Sequence, residues 1–498
     1  MTKPRQHSSR TILALVICSA FIFHNNGAAQ TKAQKIDELI RRCHDNGHFN
    51  GSALVAEKGQ IIYNQAFGLA NIKTKEKVQP ITAFNLASVS KQFTAMAIMI
   101  LQERGRLRYD DDLRKYLPAL PYEGVTVRHL LTHTSGLPDY IELFDQHWDT
   151  TKAPDNKTIA TNADIVTMLA QYHSAILFKP GERWEYSNTG YALLFSIVEK
   201  TSGESFEQFL HANIFSPLQM TRTLVYSKLK DQKIDHRAYG FRMSLDGKKF
   251  IPNDLIYLDG IAGDGGIYST TEDLFKWDQA LYTEKLVKPT MLQEAFTPVK
   301  LNDGSTYDYG FGWSLTNTDG KLTVHHTGGW AGFRTLIARA VSENNTLILL
   351  TNSTNAPRRE MSLAISNILH DRPYELPRIP LAPTLGRTIL RQGIAAAVAQ
   401  YHDLKANQPR RYDFDEDELN GLGYELLELK KIKEAIAIFE LNVAAFPQSA
   451  NVYDSLGEAC MAGGNKELSI KNYQKSLELN PQNSNASARL KRLNIKTE

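Results

Sequence analysis

Ser88-Val89-Ser90-Lys91 runs directly into Gln92-Phe93-Thr94-Ala95-Met96-Ala97-Ile98-Met99-Ile100-Leu101-Gln102-Glu103. Phe93, Met96, Ile100 and Leu101 recur at helical spacing, which predicts a helix, and Gly105 stops it. A Ser at the start of a helix and a Lys three residues on share a face, one turn apart. An amine placed there can take the proton of the hydroxyl, while the helix N-terminus favours the negative charge that develops. An amine takes a proton only while un-ionised, a state that burial beside another cation favours. Four residues are thin grounds alone. The same spacing returns at Ser227-Lys228-Leu229-Lys230, which has no apolar helical run behind it and reads as surface. Ser88 could equally be a simple helix cap.

Two later motifs raise Ser88 above a cap. Tyr186-Ser187-Asn188 stands inside Pro180-Gly181-Glu182-Arg183-Trp184-Glu185-Tyr186-Ser187-Asn188-Thr189-Gly190-Tyr191, and His326-Thr327-Gly328-Gly329 follows near the last strand-like runs. Ser-x-x-Lys, Tyr-x-Asn, then a basic residue before Thr-Gly, in that order, resembles the serine β-lactamase and penicillin-recognising family. The nearest pattern is its branch of class C β-lactamases, D-alanyl-D-alanine carboxypeptidases, D-aminopeptidases and esterases. Leu130-Leu131-Thr132-His133-Thr134-Ser135-Gly136-Leu137-Pro138 and Gly263-Asp264-Gly265-Gly266-Ile267-Tyr268-Ser269-Thr270 fit the same branch, and the likeness spans about 36–371.

The resemblance implies a role for each matching residue. Ser88 would be the acylated nucleophile and Lys91 its proton acceptor. Tyr186 would shuttle a proton to the leaving group and from the hydrolytic water. Asn188, His326, Thr327, Gly328 and Gly329 would bind substrate, with the N–H groups of Ser88 and Gly329 as the oxyanion hole. Many β-lactamases carry Lys before Thr-Gly; here it is His326. An unperturbed imidazole, with a pKa of ~6.5, grips an anion weakly at neutral pH. Peptide or ester cleavage is therefore expected over β-lactam hydrolysis. Activity on carboxylate-bearing substrates is expected to weaken as pH rises through the titration of His326.

Outward from these motifs, Ser52 to Ala56 and Gln60 to Phe67 flank Lys58-Gly59 as a hairpin, and Thr335 to Ala340 and Thr346 to Thr351 flank Asn344-Asn345 as another. An amphipathic run from Arg359 to Leu369 follows. Strands at both ends with helical patterns between them predict a mixed α+β domain, one antiparallel sheet covered by helices, over 30–371. The resemblance implies the same fold, that of serine β-lactamases and DD-peptidases.

Beyond it, 372–384 is rich in proline and reads as a linker. From about 416 the chain matches itself at a spacing of 34: Leu422-Gly423 with Leu456-Gly457, Ala435 with Ser469, Phe439 with Tyr473, Pro447 with Pro481. That is the period of the tetratricopeptide repeat, giving units at 416–449 and 450–483 in an all-α domain over 385–498. Two repeats rarely bury their own faces, so the apolar helical stretch from Ile389 to Leu404 is expected to complete the stack. Such a stack either holds a peptide or protein partner or braces the hydrolase domain.

At the other end, Lys3, Arg5 and Arg10, an apolar run from Ile12 to Phe23, and Gly27-Ala28-Ala29 read in order as a secretory signal over 1–29. A dozen apolar residues fall short of the ~20 a spanning helix needs, so no stable membrane insertion is expected after cleavage. The destination is periplasmic or secreted, away from nucleotide pools.

Composition agrees with these readings. Of 498 residues 42% are hydrophobic and 22% charged, and the net charge is +3, too small to call for nucleic acid. Three cysteines make no disulfide scaffold, and Cys43 and Cys460 fall in separate domains. His129 and His133 lack a third ligand, so neither metal nor cofactor is expected. Asp110, Asp111 and Asp112 read as a solvated turn. No Gly-x-Ser-x-Gly elbow exists. The leading reading is an exported serine hydrolase working through an acyl-enzyme on Ser88, with small peptides or esters first, D-alanyl peptides second and β-lactams third. The alternatives are a non-catalytic binder of cell-wall fragments and a repeat scaffold with a vestigial hydrolase domain. The oligomeric state stays open.

Overall fold

A computed structural model of the protein describes residues 30–148, 159–172, 174–230 and 232–493. The leader read at 1–29 lies outside them.

Six antiparallel strands form the main sheet, in the order Ser314–Thr318, Lys321–Trp330, Phe333–Ala340, Asn345–Thr351, Gly51–Glu57 and Gln60–Phe67. Strands from the two ends of this first domain thus pair side by side inside the sheet, with Leu54 opposite Ile348. Both hairpins foreseen from sequence are present. Lys58 and Gly59, at φ 52° and 74°, supply the two left-handed residues that a tight turn between right-twisting strands requires. In the second hairpin the turn is Val341–Asn344, with Asn344 alone left-handed and Asn345 already in the strand. The two strands Ser314–Thr318 and Lys321–Trp330 were not foreseen. Their polar residues (Asn317, Asp319, Lys321) hide the alternation a strand normally shows.

Side-chain alternation buries both faces. Ala53, Val55, Leu336 and Leu349 meet the helices Lys32–Asp45 and Arg358–Leu369. Leu54, Val324, Ile337 and Ile348 face the larger core, which contains the helices Lys91–Glu103 and Asn188–Ser202. Within it, Arg339 and Asp278 form a fully buried ion pair, Nε to Oδ1 at 2.6 Å, and Thr346 donates to the other carboxylate oxygen at 2.7 Å.

The second domain is helical. The helical stretch read from Ile389 to Leu404 falls in two helices, Leu381–Gln392 and Ile394–Asn407, because Gly393 takes φ 85° between them. The first begins at Leu381, inside the stretch read as linker. Glu416–Glu428 with Ile432–Ala445, and Ala450–Ala462 with Lys466–Leu479, form the repeat pairs. Their Leu-Gly positions are explained by contact: a Cβ on Gly423 would sit 2.5 Å from the Phe439 ring, and one on Gly457 3.0 Å from Tyr473. A final helix, Ser484–Arg492, packs Ala486 and Leu490 on Tyr473. Leu245 of the hydrolase domain joins the helical core beside Leu381 and Leu385, and Arg242 pairs with Glu425 at 3.1 Å and Glu428 at 3.5 Å. Cys43 and Cys460 are buried free thiols.

Candidate active site

The residue before the nucleophile candidate sets the local geometry. Ala87 lies at φ 50°, where a side chain is disfavoured by about 1–2 kcal/mol, and its N–H donates to Asn85 Oδ1 at 2.8 Å. The turn this makes puts Ser88 in a 3₁₀ turn, Ala87–Ser90, and the α-helix starts only at Lys91. Ser88 is therefore not the helix cap. It stays half-buried at the pocket wall while Lys91 is fully buried.

Lys91 Nζ stands 3.2 Å from Ser88 Oγ, 2.9 Å from Asn188 Oδ1 and 2.8 Å from the carbonyl oxygen of Asp264. The last two atoms only accept, so each takes an N–H. Ser88 Oγ either accepts a third or gives its own proton to the nitrogen lone pair. This shell suits both protonation states of the amine, as a proton acceptor requires. The loop carrying Asp264 is pinned to the helix, since Thr94 Oγ1 donates to Gly263 O at 2.6 Å. Gly263, at φ 98°, leaves no room for a Cβ, which would lie 2.6 Å from Tyr191 O.

Asn188 opens its helix behind the Ser187 cap, whose hydroxyl accepts from Gly190 N–H at 3.1 Å. Tyr186 lies just before, 38% exposed at the pocket mouth, with its ring centroid 4.9 Å from Lys91 Nζ. Its ring leans on His133, 4.4 Å between centroids, and buried His133 is held by accepting the Ser187 N–H on Nδ1 at 3.1 Å. Desolvation, then the charge of Lys91, holds His133 well below its ordinary pKa, so it packs as a neutral ring.

His326 joins this wall but does not play the part expected of it. Its Nδ1–H donates to Thr327 O at 2.6 Å, and Nε2 accepts from the Tyr309 hydroxyl at 3.0 Å. Burial, reinforced by nearby Lys91, pushes its pKa down to about 3. Both nitrogens are used inside the protein, and burial favours the neutral ring. That arrangement argues against the graded grip on an anion expected of it. Along its strand, His326 and Gly328 are buried while Thr327 and Gly329 are exposed. Gly328 is required where the strand crosses the nucleophile turn: a Cβ there would lie 2.2 Å from Thr335 Oγ1 and 2.3 Å from Leu86 O. Among the described residues the neighbouring strand stops at Ser314, opposite His325, leaving the edge from His326 onward without a strand partner on that side.

Ser88, Asn188, Gly329, Tyr140, Trp330 and Asp264 line one small pocket, a cavity of about 60 Å³. Asp259 lines it too, accepting from Trp330 Nε1 at 2.9 Å, with its pKa raised to about 6 by burial. Asp264 accepts from the Tyr140 hydroxyl at 2.9 Å, and burial raises its carboxyl as well. The structure thus gathers Ser88, Lys91, Tyr186, Asn188 and the His326–Gly329 strand. The second Ser-x-x-Lys has no α-helix behind it: Ser227 precedes a short 3₁₀ turn, Lys228–Lys230, whose first N–H donates to Asp259 O at 3.0 Å. Sequence reasoning quoted the phrases holding Asp264 and His133 without giving either residue a task. A backbone carbonyl carries no side-chain signature, and a packed imidazole looks like any other.

Residues 36–370 match the Beta-lactamase family model, and residues 450–483 match a Tetratricopeptide repeat model. The chain is 42% identical over 362 residues to Penicillin-binding protein 4* of Bacillus subtilis (strain 168), covering 70% of this chain and 79% of that one. Among solved structures, it resembles the octameric penicillin-binding protein homologue from Pyrococcus abyssi, with TM-score 0.60 and 28% identity over 70% of this chain and 80% of that one. It also resembles the penicillin binding protein from Bacillus halodurans, with TM-score 0.58 and 29% identity over 67% of this chain and 98% of that one. With the ordered motifs, the sheet and the pocket agreeing, the chain belongs to the beta-lactamase family and carries a tetratricopeptide repeat region at its C-terminal end.

Proposed function

We propose that the protein is an exported serine hydrolase that cleaves amide or ester bonds of a small peptide or ester through an acyl-enzyme on Ser88. The observation that carries this reading is the shell of Lys91, whose two acceptor-only contacts leave its third position for the Ser88 hydroxyl. As Oγ bonds to the substrate carbonyl carbon, its proton passes to the Lys91 amine. The carbonyl oxygen takes the charge, facing the N–H groups of Ser88 and Gly329, where one such donor is typically worth about 2.7–4 kcal/mol. Collapse expels an amine or alcohol that takes a proton by way of Tyr186. Water then attacks the acyl-enzyme, gives its proton back along the same route, and frees the acid and Ser88. Asn188 spends its oxygen on Lys91 and has its amide nitrogen for the substrate backbone.

Small peptides or esters rank first, D-alanyl peptides second and β-lactams third. A neutral, internally bonded His326 in place of a permanent cation supports that order. The basic, apolar and small-residue zones of the first 29 residues support export. The test compares the wild type with Ser88→Ala on a short p-nitrophenyl ester, a D-alanyl dipeptide, a chromogenic cephalosporin and a fluorescent penicillin. Turnover or labelling confined to the wild type is expected, with an acyl adduct on the Ser88 peptide by mass spectrometry. Activity persisting in the alanine variant refutes the assignment.

A further inference from the structure

A second cleft with walls from both domains lies beside the Ser88 pocket: Tyr186 and Ser187, next to Asn188, and Asp139, next to Tyr140, line it. One wall carries Asp139, Glu142, Asp145 and Glu185; the other is the terminal helix, with Arg489, Lys491 and Arg492. The cleft between them measures about 690 Å³, against about 60 Å³ for the pocket at Ser88. The helical domain also meets the first domain through Leu245 and Arg242, which do not line this cleft.

The two walls carry opposite charge, and among the described residues no ion pair joins them. Arg489 instead faces Glu458 of the repeats at 3.5 Å, Asp145 accepts from the Tyr257 hydroxyl at 3.0 Å, and Asp139 caps its own helix. Lys491, Arg492 and Glu142 are exposed. Opposite charges across an open gap attract little in water, about 1 kcal/mol even at 4 Å, and less once screened by salt. A short neutral ester offers neither wall a charge. A longer molecule with charges of both signs meets both.

We propose that the terminal helix is the second wall of a distal substrate subsite that takes an extended peptide several residues long. Its carboxylates face Lys491 and Arg492, its ammonium groups face Glu142 and Asp145, and its acyl-donating end lies at Ser88. This deepens the hydrolase reading above and rests on it. On this assignment the repeats contribute to substrate selection directly, through their last helix.

The test is an equilibrium one on the full chain carrying Ser88→Ala, so that the probe is not consumed. The probe is a fluorescein-labelled pentapeptide ending in D-Ala-D-Ala with one Glu and one Lys, followed by anisotropy. Lys491→Gln with Arg492→Gln, and separately Glu142→Gln with Asp145→Asn, are each expected to raise Kd about five-fold, the sum of two modest ion pairs. The increase shrinks at about 300 mM salt. A control peptide with Gln in place of Glu and Lys gives one Kd for all three proteins. The second pair lies on the other domain, so fraying of the terminal helix does not decide the outcome. Equal Kd values for the charged peptide across the variants, or no binding of it at all, overturn the subsite. Absence of any acyl adduct in the Ser88 protein would count against the hydrolase reading and leaves this binding measurement standing on its own.

Discussion

The Tyr309 hydroxyl donates to His326 Nε2 at 3.0 Å because Nδ1 of the same ring already donates to Thr327 O at 2.6 Å. Burial, and then the charge of Lys91, disfavours a second proton on this ring, and its pKa falls to about 3. Between pH 5.5 and 8, kcat/KM on a carboxylate-bearing ester is expected to have the same shape in the wild type and in His326→Gln. A descending limb present only in the wild type would show that His326 titrates on the substrate after all.

The same depressed pKa sets a sign for stability. Between about 3 and the unfolded value of ~6.5, the unfolded chain binds the proton that the folded chain refuses. The stabilisation is whole above ~6.5 and drains as pH falls toward 3, by up to about 1.4 kcal/mol per pH unit. Thermal melts at pH 7 and pH 4 are expected to show a larger fall in Tm for the wild type than for His326→Gln, which cannot titrate. Parallel falls contradict the claim.

Lys91→Met keeps the length of the side chain and removes its nitrogen. Acylation is expected to slow by about 10²–10⁴-fold, the usual contribution of a positioned base. The orphaned acceptors, Asn188 Oδ1 and Asp264 O, are expected to cost about 1–3 kcal/mol each. Burst kinetics with the short ester, beside urea unfolding, separate the two effects; an unaltered burst rate would remove Lys91 from the chemistry.

Gly328→Ala forces a methyl against Thr335 Oγ1 and Leu86 O, so the strand must withdraw from the Ser88 turn. Activity on the ester is expected to fall by about 10²-fold, as for loss of an oxyanion donor. Gly329→Ala, whose methyl meets nothing closer than 3.8 Å, is expected to fall much less. Equal losses in the two variants would mean that close approach of the strand is not what matters at 328.

Asp278→Ala leaves the Arg339 guanidinium charged and unpaired at zero exposure, and is expected to destabilise by about 3–5 kcal/mol. The double variant Asp278→Ala with Arg339→Met removes the stranded charge and is expected to recover part of that loss. Urea midpoints measure both, and a double variant weaker than the single one argues against the charge as the cause.

Much was legible in order along the chain. Apolar spacing exposed the helix after Ser88, turn residues exposed Lys58-Gly59, and a repeat of 34 exposed the stacked pairs. The break at Gly393 was not placed because apolar helical patterns continue on both sides of it, and one residue at positive φ suffices to end a helix. The strand bearing His326 was missed because its edge residues are polar.

By itself, then, the sequence determined which chemical groups are present and how they are spaced along local elements, because helix, turn and repeat periods are properties of neighbouring residues. Tertiary structure alone decided which groups touch. A carbonyl 173 positions downstream holds Lys91, a phenol from the loop after Thr306–Tyr307 bonds His326, and the helix that follows the repeats lines the same cleft as Tyr186 and Ser187. Those contacts depend on how distant faces bury one another, and no local period encodes them.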